Sequence, residues 1–173
     1  PHHGLYDRDS NLLPTAKRAI ERGVLLDVGH SNSDFSFKTA RSGLAQGILP
    51  DSISTDLNCF NFDVVGSLAS TMTKFLGLGL SLSQVIERVT IGPAKALRKT
   101  NELGSLKPGM PADFTVAELV EQDAALSDGL GGTLQVSQVL HVRGVCRAGK
   151  FSRIEKMPFD AVESEPQPLA VGR

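Results

Sequence analysis

Two polar residues that can do chemistry stand at the ends of short apolar runs. His30 closes VLLDVGH, and Asp56 closes SISTD. An imidazole and a carboxylate delivered at the carboxyl ends of buried parallel strands is how α/β barrels load their catalytic face. This combination points to hydrolytic metal chemistry, in which a carboxylate moves a proton for a bound water. The two residues lie 26 positions apart. That is about the length of one crossover between neighbouring parallel strands, so the strands are expected side by side.

The elements that must position them can be read from the same stretch. Pro14 suits a first helical position, TAKRAIER turns Ala16, Ala19 and Ile20 to one face, and Gly23 suits the left-handed C-terminal cap. Val24, Leu25, Leu26 and Val28 form the near-continuous run of a strand covered on both faces. Ser33 or Asp34 is expected to cap a helix that begins near Phe35 and ends at Gly47. Pro50 and Asp51 then turn the chain into the second strand.

Further on, SLASTMTKFLGLGL reads as an amphipathic helix with Leu68, Met72, Phe75 and Leu76 inward. Two shorter helices follow, one capped by Ser81 or Ser83, the other with Pro93 in its first turn. The texture then changes to β. Alternation at Phe114, Val116 and Leu119 marks a strand, DAALSDGLGG reads as a flexible loop, and QVSQVLHVRGVCRAGKF as a hairpin turning near Arg147 to Gly149. The organisation expected is an α/β segment over residues 1–103, a β-rich segment over 104–157 and a disordered acidic tail over 158–173.

Composition narrows the class. At 173 residues the chain holds one domain or a piece of a larger one, since a closed eight-stranded barrel takes roughly 250 residues. Apolar residues at 40% with charged residues at 21% describe an ordinary globular protein. A net charge of −1 without a Lys/Arg cluster argues against nucleic acid or an anionic membrane as partner. No apolar run approaches the roughly 20 residues that span a bilayer, and PHHGLYDRDS lacks a signal-peptide pattern. Cys59 and Cys146 lie far apart, so no disulfide framework is expected, and a reducing cytoplasm fits best.

Several segments, in order and at spacing, resemble the amidohydrolase superfamily of metal-dependent hydrolases, in its dihydroorotase-like amidohydrolase/deacetylase branch. They are GVLLDVGHSNSDFSF, LPDSISTDLN, TMTKFLGLGLSLSQVIERVT, GPAKAL and LGSLKPGMPADFTV. The resemblance implies the C-terminal part of a TIM (β/α)8 barrel, about strands seven and eight with their helices, followed by β-strands of an accessory sandwich. It implies one or two divalent metals, usually zinc, whose bound hydroxide attacks an amide or ester carbonyl of a small molecule. Asp56 matches the eighth-strand aspartate that touches metal and shuttles the proton. By the same resemblance His30 orients substrate, with Ser31 to Ser33 beside it; Asn58, in the loop after Asp56, is expected to line the pocket. The family's remaining ligands, an HxH pair, a carboxylated lysine and two histidines, would lie upstream of Pro1, and one aspartate cannot hold zinc usefully.

Plainer readings stand beside these. Asp56 can cap a turn, His30 can be satisfied by backbone, and Asn58 and Asn61 can serve only their loop. His2 and His3 read as exposed loop residues, His141 as a structural strand residue, and Cys59 lacks the positioned base a nucleophile needs. A rival from another class is a truncated, non-catalytic fragment or assembly module. Its open sheet edges would favour self-association or pairing with a missing N-terminal half.

Overall fold

The computed structural model describes residues 4–9, 11–31 and 34–155. His2, His3, Ser33 and the acidic tail lie outside the described residues. Helix α1 (Pro14–Glu21) begins at its proline and ends where Gly23, at φ 86°, donates to the Ile20 carbonyl at 2.8 Å. Strand β1 (Asp27–Gly29) follows, then helix α2 (Phe37–Ala45) and strand β2 (Ser52–Ser54). The strands pair in parallel, with Asp27 opposite Ser52, Val28 opposite Ile53 and Gly29 opposite Ser54. This is the adjacency that the crossover length implied.

Helix α2 starts two residues later than the sequence suggested, capped by Ser36, whose Oγ accepts from Thr39 N at 3.5 Å. The reason is Phe35. An extended backbone at Ser36 (φ −135°, ψ 132°) delivers both Phe35 and Phe37 into the core, where Phe35 lies 5.6 Å from the rings of Phe37 and Phe75. Burying each such ring is worth roughly 1.5–3 kcal/mol, against about 1 kcal/mol for a cap, so the core sets the helix start.

The apolar run before His30 is not covered on both faces. Val24 and Leu25 are 54% and 51% exposed, and β1 pairs only with β2 among the described residues. A strand needs neighbours on both edges and helices on both faces to read as buried throughout, and here one edge is open.

Helices α3 (Phe62–Val65), α4 (Leu68–Gly77), α5 (Leu82–Val89) and α6 (Ile91–Ala96) come next. Helix α5 opens on a capping box, Ser81 accepting from Gln84 N while the Gln84 side chain accepts from Ser81 N. Helix α4 turns Met72, Phe75 and Leu76 to the core as expected, but Leu68 is exposed, and Thr71, Thr73 and Lys74 are buried as well. Their polar atoms are satisfied, which makes the burial tolerable. Thr73 Oγ1 donates to Ala69 O at 2.9 Å and accepts from Leu140 N at 3.1 Å.

Strands β3 (Phe114–Ser127), β4 (Thr133–Arg147) and β5 (Lys150–Arg153) form an antiparallel sheet in that order. The β4–β5 turn falls at Ala148 and Gly149, both at positive φ. The stretch DAALSDGLGG is ordered, a correction to its reading as a flexible loop. Its first half extends β3, and Asp128 builds the turn by accepting from Leu130 N and Gly132 N at 2.8 Å each. Leu134 of β4 joins Phe35, Phe37, Ile53, Phe75, Leu80 and Val85 in one core, and Gly77 leaves room for it to approach α4. No helix among the described residues is long and apolar enough to cross a membrane.

Candidate active site

The ladder between β1 and β2 extends past both strands. His30 N donates to Ser54 O at 3.0 Å and Ser31 N to Thr55 O at 3.1 Å, so the next residue, Asp56, emerges at the carboxyl end of the pair. There the backbone turns sharply, with Asp56 at φ 48°, a left-handed conformation that aspartate tolerates better than most residues. Two asparagines capture its carbonyl: Asn61 Nδ2 donates to Asp56 O at 2.7 Å and Asn58 Nδ2 at 3.3 Å. Asn58 N donates in turn to Asn61 Oδ1 at 2.7 Å. The loop thereby fixes the main chain of Asp56 while leaving its side chain exposed. Among the described residues the carboxylate accepts no hydrogen bond.

Strand alternation decides which side chains share the face of Asp56. A Cβ built on Gly29 would lie 3.2 Å from Asp56 Cβ and 3.5 Å from Ser54 Oγ, so these groups crowd one side of the sheet. Asp27 lies on that side too, accepting from Ser52 Oγ at 2.5 Å and Ser54 Oγ at 2.7 Å. The opposite side carries Val28 and Ile53, which pack into the helix-covered core.

His30 follows Gly29 and therefore turns to that core side. It is 0% exposed, its ring centroid 4.7 Å from that of Phe35, with Nδ1 2.6 Å from Ser31 O and Nε2 2.7 Å from Lys74 Nζ. Burial first, and then the Lys74 charge, hold its pKa down to about 4, against weaker opposition from the Ser31 carbonyl and Asp128. The expected substrate-facing imidazole is thus not brought together with Asp56 in this structure. Period-two alternation places it in the helix layer. Ser31, at φ 46°, is also buried, and its main chain bonds both to Thr55 O and to the His30 ring. Asn58 is exposed beside Asp56 and is engaged in building the loop.

Residues that sequence reasoning passed over prove central to this region. Lys74 is 1% exposed and donates to Val64 O at 2.9 Å, and burial draws its pKa down to about 8, with the Asp128 charge opposing. Asp128 is buried and also accepts from Phe37 N at 3.0 Å, across 91 positions of sequence. Burial raises its pKa, but the backbone N–H groups of Phe37, Leu130 and Gly132 outweigh this and leave it lowered. The lysine's only advance signal was its place one residue before a core phenylalanine. The aspartate sat in an Asp-Gly turn signature that said nothing of α2.

A cavity of about 320 Å3 runs along β1, lined by Leu5, Tyr6, Leu26, Gly29, Phe35 and Phe75 among others, and Asp56 does not line it. The donor set does not fit a bound metal on its own. Among the described residues no three His, Cys, Asp or Glu side chains converge, and Asp56 offers one carboxylate. What the arrangement can do is present, on a main chain held in place, an exposed carboxylate without a hydrogen-bond partner among the described residues, a group of the kind that transfers protons.

Against known proteins, a model described as the amidohydrolase family matches residues 3–150. A deacetylase of Agrobacterium fabrum is 39% identical over 137 residues, covering 78% of this chain and 33% of that protein. The crystal structure of an adenine deaminase superimposes with a TM-score of 0.83 at 28% identity, over 87% of this chain and 42% of that one. That of a dihydroorotase gives 0.70 at 32%, over 80% and 38%. The chain spans about a third of the deacetylase's length. With β1 and β2 as part of a TIM barrel and the matched region covering most of its length, the chain belongs to the amidohydrolase family.

Proposed function

We propose that this chain is the carboxyl-terminal part of a hydrolase of C–N amide bonds, deacetylase-like or dihydroorotase-like, acting on a small acylated or cyclic substrate, with Asp56 as its acid–base carboxylate. The observation that carries the reading is Asp56 itself. It stands at the carboxyl end of β2, its main chain fixed by Asn58 and Asn61 and its carboxylate open. In that role Asp56 accepts a proton from the attacking water and returns it to the leaving nitrogen. A divalent metal, zinc by the resemblance, would need ligands beyond those described here, with Asp56 contributing one. Asn58 borders the substrate in this reading, whereas His30 and Ser31 support the strand end from behind.

The test is Asp56→Asn in the polypeptide that carries these residues together with the barrel strands its relatives possess, assayed on N-acetyl amino acids and cyclic ureides. A fall of about 10²–10⁴-fold in kcat/KM with an unchanged melting temperature is expected. Retained turnover would remove Asp56 from the chemistry.

A second reading, a non-catalytic module that pairs with other chains, is favoured by the open edge of β1 and by the exposure of Val24 and Leu25. Sedimentation of the chain separates the two: association that rises with concentration, without bound metal or turnover, supports the module.

A further inference from the structure

Two ionisable side chains that the proposed chemistry does not use are buried against each other. Lys74 Nζ lies 2.7 Å from His30 Nε2, and both side chains are shut off from solvent. The proton positions follow from the partners. His30 Nδ1 faces the Ser31 carbonyl at 2.6 Å, and a carbonyl oxygen only accepts, so Nδ1 carries the hydrogen. Nε2 is then a lone pair, and the ammonium of Lys74 donates to it. A second Lys74 hydrogen goes to Val64 O at 2.9 Å.

The surrounding charges agree with this state. Asp128, reaching in from the β3–β4 turn, is the carboxylate whose field acts on both groups, and it favours the Lys74 cation. Burial and the lysine's charge keep the imidazole neutral, its pKa held down to about 4. With its pKa drawn down to about 8, Lys74 remains mostly protonated at neutral pH.

The pair is connected to the strand end. Lys74 donates to the His30 ring, the ring donates to Ser31 O, and Ser31 N donates to Thr55 O, the residue before Asp56. Ser31 sits in the left-handed region at φ 46°, which a non-glycine residue keeps only where its surroundings over-determine it. The ring's grip on the Ser31 carbonyl supplies that constraint.

We propose that Lys74 is a positioning residue: from helix α4 it donates to His30 Nε2, seats the ring against the Ser31 carbonyl and thereby holds the strand end on which Asp56 is mounted. The importance of this for catalysis rests on the amidohydrolase reading of Asp56, whereas the hydrogen-bond chain does not depend on it.

The experiment is long-range ¹H–¹⁵N spectroscopy of the histidine rings in the uniformly ¹⁵N-labelled chain, with amide exchange measured on the same sample. In the wild type, His30 should carry its hydrogen on Nδ1 at pH 7 and should not titrate between pH 8 and about 5. In Lys74→Met the His30 Nε2 resonance should shift as its donor is lost, Ser31 amide exchange should rise at least about tenfold and the Asp56 amide resonance should move, while Val85 in α5 exchanges as before. A wild-type ring protonated on Nε2, or titrating near its ordinary value, would overturn the proposal. So would a Lys74→Met chain with unchanged ring and Ser31 behaviour. If that variant does not fold, the wild-type spectrum still decides. Asp56→Asn should leave the His30 signature intact whatever it does to hydrolysis, so failure of the functional reading and failure of this one are seen separately.

Discussion

Gly29 and Asp56 face each other across the two parallel strands so closely that a Cβ at position 29 would stand 3.2 Å from that of Asp56. Gly29 is not among the residues at positive φ, so the space, and not the backbone conformation, calls for glycine. Gly29→Ala should therefore move Asp56 by a few tenths of an ångström and cost about 1 kcal/mol, and Gly29→Val about 2–3 kcal/mol. Urea unfolding measures the cost, and the Asp56 amide shift reports the displacement. An alanine variant with wild-type stability and an unmoved Asp56 resonance would show that the contact relaxes freely.

Asp128 joins the β3–β4 turn to the start of α2. Asp128→Ala removes the acceptor for Phe37, Leu130 and Gly132 N–H at once, for an expected loss of about 2–4 kcal/mol. Asp128→Asn keeps one acceptor oxygen and should lose roughly half as much. Faster exchange at the Phe37 amide in both variants would locate the damage at α2, and an unchanged Phe37 amide would argue against the link.

Stability should depend on pH through His30 and Lys74 in separate windows. The folded pKa of His30 is about 4 against 6.5 ordinarily, so between these values the unfolded chain binds a proton that the folded chain does not. Stability is accordingly lost as pH falls from 6.5 to 4, by about 1–3 kcal/mol. Lys74 shifts from 10.5 to about 8, so stability rises as pH climbs from 8 towards 10.5. Asp128, lowered from 3.8, loses its contribution only at more acid pH. His30→Gln should flatten the limb between 6.5 and 4 in a plot of urea midpoint against pH, and persistence of that limb would assign it elsewhere.

Much of the strand framework was legible because crossover length and apolar runs are local properties. The pairing of β1 with β2, and the arrival of Asp56 just past the end of β2, follow from them. The face on which His30 lies was also within reach: Val28 shares its side of the strand, and an apolar Val28 already marks that side as the core. What local pattern could not show is burial that depends on distant partners. Lys74 reads as a solvated helix residue until His30 and Val64 satisfy it, and Asp128 reads as turn chemistry until Phe37 arrives from 91 positions away. Thr73 belongs with them. Thr73 is buried against Leu140 of β4, a partner that lies 67 positions away, while Leu68, in the first turn of α4, stays outside.

The placement of Leu134 among Phe35, Phe37 and Phe75 carries a last implication. The antiparallel hairpin is no detachable ornament, because its side chains complete the interior of the parallel unit. A foreign sheet grafted after α6 would have to reproduce both that leucine's shape and the aspartate's reach, so the two halves are constrained to diverge in step.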